Sequence, residues 1–198
     1  MEKKSIVAFD FDGTITTKDS FFSFIIFTKG HFRLLLGLLA CSLFLVAFML
    51  RLYPRQKAKE KLFSFFYKNT PVDEFNRWGE AFMTKIDAMV KPEAIEAIKK
   101  HLDEKATVLI VSASIDTWIR PWAEKTGISE VLATRIEVDE ENKLTGKFRT
   151  KNCVRQEKVN RLIAAFPNQD EYFLTVYGNN RGDKELVEFA DKGWFRHF

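Results

Sequence analysis

Two aspartates one residue apart, Asp10 and Asp12, close a short apolar run that starts near Ser5, and Gly13 and Thr14 follow at once. Residues i and i+2 of an extended segment share a face, so the two carboxylates point one way while Phe9 and Phe11 point the other. Like charges this close raise each other's pKa, and a divalent cation relieves them. Mg²⁺, a hard ion that prefers oxygen ligands, is the expected cofactor. Gly13 lets the backbone turn tightly beside a ligand, and Thr14 adds a hydroxyl and an N–H at the mouth of the turn. Together these groups have the shape of a phosphate site. The competing reading is an ordinary strand end with two solvated aspartates, and the rest of the chain must decide.

The elements that would position these groups are legible further on. Residues 107–112 form a continuous apolar run of the kind found in buried parallel strands, ending in the hydroxyl of Ser112, with Ala113 next and Ser114 as a second candidate. A helix holding Trp118 and Trp122 should follow. Short strand-like runs at 131–138 and 144–150 flank the polar stretch 139–143, as in a hairpin or two edge strands. Asn152 is a candidate N-cap for a helix that carries Lys158; Lys151 is the alternative cation. The last apolar strand, 173–177, runs into Gly178-Asn-Asn-Arg-Gly-Asp-Lys-Glu185. Gly193 to Phe198 reads as an edge strand. Between residues 15 and 90 the periodicity is helical throughout. A helix is expected over 56–69, another from Thr70 as N-cap with Pro71 at N1 to about Met89, and a third from Pro92 through Ile95, Ile98 and Leu102.

The stretch Asp10-Phe-Asp-Gly-Thr14 resembles motif I of the haloacid dehalogenase (HAD) superfamily of phosphatases. The resemblance implies that Asp10 is the nucleophile that becomes an aspartyl-phosphate and that Asp12 is the general acid and base. It further implies motif II at Ser112, motif III at Lys158 and motif IV in the loop that holds Asp183. Phosphate contacts then fall to Gly13, Thr14, Ser112, Ala113 and Lys158, and Mg²⁺ ligands to Asp10, Asp12, Asn179 and Asp183. One departure stands out: motif IV carries two acids four residues apart, and the first position here is the amide Asn179. Glu185 lies near enough in sequence to assist. The implied fold is α/β, a doubly wound, Rossmann-like parallel sheet whose strand C-termini gather the site. Its core would comprise residues 1–15 and 91–198, and its inserted helical C1 cap residues 16–90. The branch is the phosphoserine-phosphatase-like one, subfamily IB, and the implied activity is phosphomonoester hydrolysis. A weakened HAD protein that only binds a phosphorylated ligand is the rival that Asn179 raises.

Composition narrows the partners. The chain has 198 residues, 46% of them hydrophobic, enough for one core with an insertion. With 31 basic against 27 acidic residues, the net charge of +4 gives no reason to expect nucleic acid. Cys41 and Cys153 make no disulfide framework and match no metal spacing, so a reducing, cytoplasmic setting is expected. His31, His101 and His197 are scattered and form no zinc or triad pattern. No export signal is visible ahead of Asp10. The oddest stretch is 34–50, 17 residues without a charge. As a helix it would reach ~25 Å, just short of a bilayer span. The basic stretch 51–61 follows, of the kind that lies against anionic headgroups. Together they are similar to the phosphatidylglycerophosphatase C family of membrane-associated enzymes, which implies a lipid phosphate as substrate. A complete span is excluded on topology, because it would put Asp10 on one side of the bilayer and Ser112, Lys158 and Asp183 on the other. The expectation is therefore a phosphorylated small molecule or lipid phosphate as partner, with monotopic contact of the cap on an anionic inner-leaflet surface.

Overall fold

The computed structural model describes residues 3–198. Its strands are β1 (Lys4–Phe9), β2 (Thr107–Ile115), β3 (Glu130–Thr134), β4 (Ile136–Val138), β5 (Leu144–Phe148), β6 (Tyr172–Gly178) and β7 (Lys192–Phe195). Its helices are α1 (Ser20–Lys29), α2 (His31–Ala40), α3 (Ser42–Met49), α4 (Arg55–Tyr67), α5 (Val72–Ala81), α6 (Met83–Asp87), α7 (Pro92–Asp103), α8 (Asp116–Lys125), α9 (Gln156–Ala165) and α10 (Lys184–Phe189). Five strands form one sheet in the order β3-β2-β1-β6-β7, every neighbouring pair parallel. The chain moves from β1 outward through β2 and β3, then crosses back to β6 on β1's other side. The reversal of direction leaves a crevice at the C-terminal ends of β1 and β6, where ligands bind in open α/β sheets. Asp10 follows β1 there, its N–H donating to the Tyr177 carbonyl at 2.9 Å.

Both faces of the sheet are covered, which is why its strands read as unbroken apolar runs rather than alternating ones. Val7 and Phe9 of β1, with Val108 and Ile110 of β2, join the larger core cluster under α7, α8 and the helices inserted after β1. Ile6 and Ala8, with Leu109 and Val111, join the smaller cluster under α9 and α10. The α/β doubly wound architecture expected from the sequence is thus observed.

Helices α1 to α6 all lie between β1 and β2. Their interior is aromatic: Phe24 is stacked on Trp118 with ring centroids 4.4 Å apart and meets Phe75 and Phe82 edge-on. The antiparallel β4–β5 hairpin also packs here. Glu60 on α4 accepts from the Phe148 N–H at 3.2 Å, and Gly146 lies tight against Ser64.

Several local expectations are corrected. Pro71, not Thr70, occupies the N-cap of α5, because residues 69–72 run beside the hairpin. The Leu144 N–H donates to the Thr70 carbonyl at 2.9 Å and the Val72 N–H to the Asn142 carbonyl at 2.9 Å, which holds Thr70 in pairing rather than capping. That helix also stops at Ala81 and restarts as α6. Asn152 does not cap α9; Arg155 does, while the Asn152 N–H donates to Gln56 and its amide oxygen accepts from Thr134. The run 131–138 breaks at Arg135, so β3 joins the main sheet and β4 the hairpin. Strand β2 runs past Ser112 to Ile115, with a register shift against β3 between these two residues. The uncharged stretch 34–50 is not one helix: it divides at buried Cys41 into α2 and α3, and Gly37 sits close under Phe65 and Phe66 of α4.

Phe24→Ala should remove the centre of the aromatic cluster and cost about 3–5 kcal/mol of stability, the range for truncating a fully buried Phe. Urea unfolding followed by Trp fluorescence measures it directly, because Trp118 is the stacking partner.

Candidate active site

The crevice opens as a cavity of about 470 Å³ whose wall includes Asp10, Asp12, Gly13, Ser112, Ala113, Lys158, Asn179 and Asp183. Eight positions expected from the sequence are thereby brought together from β1, β2, α9 and the loop after β6. Thr14 stays just behind the wall, its hydroxyl donating to Asp10 Oδ2 at 3.3 Å. Ser114 is buried elsewhere, bonded to the Ser20 hydroxyl at 2.8 Å, and Lys151 is exposed; neither lines the cavity. Glu185 is also absent from the wall, and one of its carboxylate oxygens is buried without a partner among the described residues.

Lys158 is the hub. Its side chain is 1% exposed, and its three ammonium protons go to Asp10 Oδ1 at 2.5 Å, Asp183 Oδ1 at 2.6 Å and the Val111 carbonyl at 2.6 Å. Burial alone would lower its pKa, but the carboxylates of Asp10 and Asp183 outweigh burial and hold it above the usual lysine range. The other oxygen of Asp183 accepts from the N–H groups of Asn179 at 3.1 Å and Asn180 at 3.0 Å, so this residue shapes the loop and holds the lysine at once. Asp10 is pushed up to about 6 by burial, against the pull of Lys158.

Asp12 faces a different environment. One oxygen accepts from the Ser20 N–H at 2.7 Å, at the start of α1, while Asp19 caps the same helix by accepting from Phe21 and Phe22. Burial, with Asp19 nearby, pushes Asp12 up to about 7. A carboxyl at that value is protonated in a large fraction of molecules near neutrality, the state a general acid requires.

Sequence reasoning missed the cations from the inserted helices. Arg55, Lys57, Lys59 and Lys61 read as one lipid-facing group, whereas the structure divides them. Arg55 and Lys59, one helical turn apart, line the cavity, and Lys57 and Lys61 face solvent. Lys59 donates to the Ala113 carbonyl at 2.8 Å and lies over the Phe21 ring at 4.8 Å. Burial pulls its pKa down to about 8, opposed by Asp19 and Asp12. Lys18 and Arg181 complete a basic rim. The i, i+4 spacing of Arg55 and Lys59 was the available signal.

The oxygens of Asp10, Asp12, Asn179 and Asp183 line one cavity, an all-oxygen set of the kind that suits Mg²⁺. Among the described residues no three carboxylate, imidazole or thiol groups stand close enough to hold a metal by themselves. Both Asp183 oxygens are engaged, and Asn179 Oδ1 accepts from Asn180 at 2.8 Å. A cation bound here would share these oxygens with the hydrogen bonds they already accept, as it would those of Asp10, which Lys158 and Thr14 engage. Gly13 is required by the same crowding: its φ is +83° and a Cβ would run into the Asn179 carboxamide.

Residues 7–188 match the haloacid dehalogenase-like hydrolase family. The chain belongs to that family. Protein CicA of Caulobacter vibrioides is 31% identical over 196 residues, covering 98% of this chain and 86% of its own. Among solved structures, a Bordetella pertussis Tohama I protein with unknown function superposes with a TM-score of 0.78 at 18% identity, over 96% of this chain and 88% of that one. A phospho-aspartyl intermediate analogue of phosphoserine phosphatase superposes with a TM-score of 0.63 at 19% identity, over 98% and 86%. At these identities the likeness concerns the fold.

Lys158→Met should leave two buried carboxylates without their counter-charge and cost about 3–5 kcal/mol at pH 8. The sign of its pH dependence follows from Asp10, which binds its proton more tightly folded, at about 6, than at its ordinary 3.8. Between these values the folded state holds more protons, so this group's contribution to stability grows as pH falls. Without the ammonium the folded value rises further. The deficit of the variant, read by urea unfolding, should therefore shrink from pH 8 to pH 5; a constant deficit would contradict the assigned pairing.

Proposed function

We propose that this haloacid dehalogenase-like hydrolase is a phosphomonoester phosphatase that works through a phosphoryl-Asp10 intermediate. The observation that carries the reading is the pairing of a buried, lysine-held Asp10 with a neighbouring Asp12 whose pKa lies near neutrality, on the wall of one open cavity rimmed by cations. Lys158 keeps Asp10 ionised and fixes Oδ1, which leaves Oδ2, bonded only weakly by Thr14, as the attacking oxygen. Attack forms the Asp10–phosphorus bond and breaks the bond to the leaving oxygen, which takes its proton from Asp12. Asp12, now ionised, removes a proton from water; the water oxygen bonds phosphorus and Asp10 is released. Ser112, the Ala113 backbone and Lys59 face the position of the phosphoryl oxygens. Mg²⁺, held by Asp10 and Asp12 with Asn179 and Asp183 beside them, would neutralise phosphate charge during the transfer. The phosphoserine phosphatase relative, solved as a phospho-aspartyl analogue, supports the covalent route.

Hydrolysis of an aryl phosphate in Mg²⁺ tests this. Asp10→Asn should lose at least about 10³-fold in kcat with its circular dichroism unchanged, since an amide cannot accept the phosphoryl group. Turnover retained by that variant would end the covalent mechanism. Wild type that binds phosphate but turns nothing over would favour the ligand-binding reading that Asn179 raised.

One observation favours a lipid phosphate over a soluble metabolite as substrate. In α2 the only buried residue is Gly37 and in α3 there is none, while Phe32, Leu35, Leu39, Leu43, Met49 and Leu50 are exposed. Among the described residues no single helix is long and apolar enough to cross a membrane, and α1 with α2 form a bent pair, turned by 116°. An exposed apolar face, on a chain whose Arg33 on α2 and Lys57 and Lys61 on α4 are also exposed, fits an anionic bilayer surface entered from one side, at the cytoplasmic leaflet. A phosphatidylglycerophosphate-like lipid would then reach Asp10 without leaving the membrane. Liposome flotation should show binding that rises with anionic lipid and falls in salt and in an Arg33→Gln, Lys57→Gln, Lys61→Gln variant. Protein that stays soluble with every vesicle composition would leave the metabolite reading.

A further inference from the structure

Beside the catalytic cavity lies a second, larger one of about 840 Å³, and Arg55 and Val154 belong to the walls of both. Three arginines line it, Arg51, Arg55 and Arg155, and no acidic residue does. Among the described residues none of the three forms an ion pair with a carboxylate. Like charges gathered around an open space without a counter-charge repel one another, and an anion entering that space removes the repulsion. Two of the three are also held in backbone conformations that residues with a side chain seldom take, with φ of 61° at Arg51 and 55° at Arg155. Arg155 is fixed by its N–H, which donates to the Gly182 carbonyl at 2.7 Å, so the loop that carries Asp183 also sets this arginine. The remaining wall, Phe48, Met49 and Tyr53, is apolar or aromatic and continues into the exposed face of α3.

We propose that this second cavity is a subsite for a further phosphate-type anion of the substrate, with the hydrocarbon part of the same molecule lying over Phe48, Met49 and Tyr53. The assignment rests on the phosphatase reading of the first cavity. The phosphomonoester sits against Asp10, a short linker passes Arg55, and the second anion takes the planar forks of Arg51 and Arg155, a geometry suited to paired phosphate oxygens. The substrate class is thus a phosphomonoester that bears a second phosphate group, whether in a lipid headgroup or in a free bisphosphate.

The test uses the full chain with Mg²⁺ and compares kcat/KM for glycerol 1,3-bisphosphate with that for glycerol 3-phosphate, an aryl phosphate serving as reference. Wild type should prefer the bisphosphate by tenfold or more. Arg51→Gln and Arg155→Gln should each cut that preference by about tenfold, chiefly through KM, the size expected for one charge-assisted contact. Reading a ratio cancels any loss of folded protein. A soluble dihexanoyl phosphatidylglycerophosphate separates the two sources. A further gain that Phe48→Ser removes assigns the lipid, and a rate equal to that of the free bisphosphate overturns the hydrocarbon wall. No preference for the bisphosphate, or one that neither arginine variant alters, overturns the subsite while the phosphatase stands. Wild type inactive on every compound, the aryl phosphate included, overturns both.

Discussion

The structure depends on one ammonium group. Lys158 Nζ binds two carboxylates and a strand carbonyl while almost wholly out of water, and its three partners come from the end of β1, the body of β2 and the loop after β6. A buried carboxylate without a partner is costly. With the lysine between them, Asp10 and Asp183 are both paired and held at fixed positions. Such a buried triad is poor evidence of stability, since apolar residues in its place often stabilise a fold more. Its worth lies in placement: every donor is used, so Asp10 has one orientation and leaves one oxygen for chemistry.

The same economy explains the loop after β6. Asp183 holds Lys158 with one oxygen and collects two N–H groups with the other, so it orders the loop and the lysine together. Asn179 in turn packs against Gly13, joining this loop to the turn after β1. A carboxylate at Asn179 would bring a third negative charge beside Asp10 and Asp12, whereas the amide adds none. The amide at this position limits the negative charge gathered around the cavity.

Much of this was legible in the sequence because the site lies at strand ends, and strands buried on both faces leave unmistakable apolar runs. The resemblance of Asp10, Ser112, Lys158 and Asp183 to the ordered family motifs, each near a predicted element, is what placed them in one crevice. What stayed hidden depends on contacts between elements. Thr70 has the residue type of an N-cap, but the hairpin claims its carbonyl. Asn152 likewise is taken up by Gln56 and Thr134. The division of 34–50 at Cys41 leaves no mark in composition, since every residue there is uncharged. Lys59 was masked by company: in a run of lysines only the turn of the helix distinguishes the one that faces the cavity.

Lys59 also ties the helices after β1 to the sheet. Its bond to the Ala113 carbonyl joins α4 to the end of β2 at the cavity wall, and Gln56 and Glu60 on the same helix accept from the Asn152 and Phe148 N–H groups. Three successive contacts on one helix face thus anchor α4 to β2, to the segment before α9 and to the hairpin. The ammonium in that row has already given up much of its water to burial, so an anion entering the cavity meets a cation whose desolvation was settled when the chain folded.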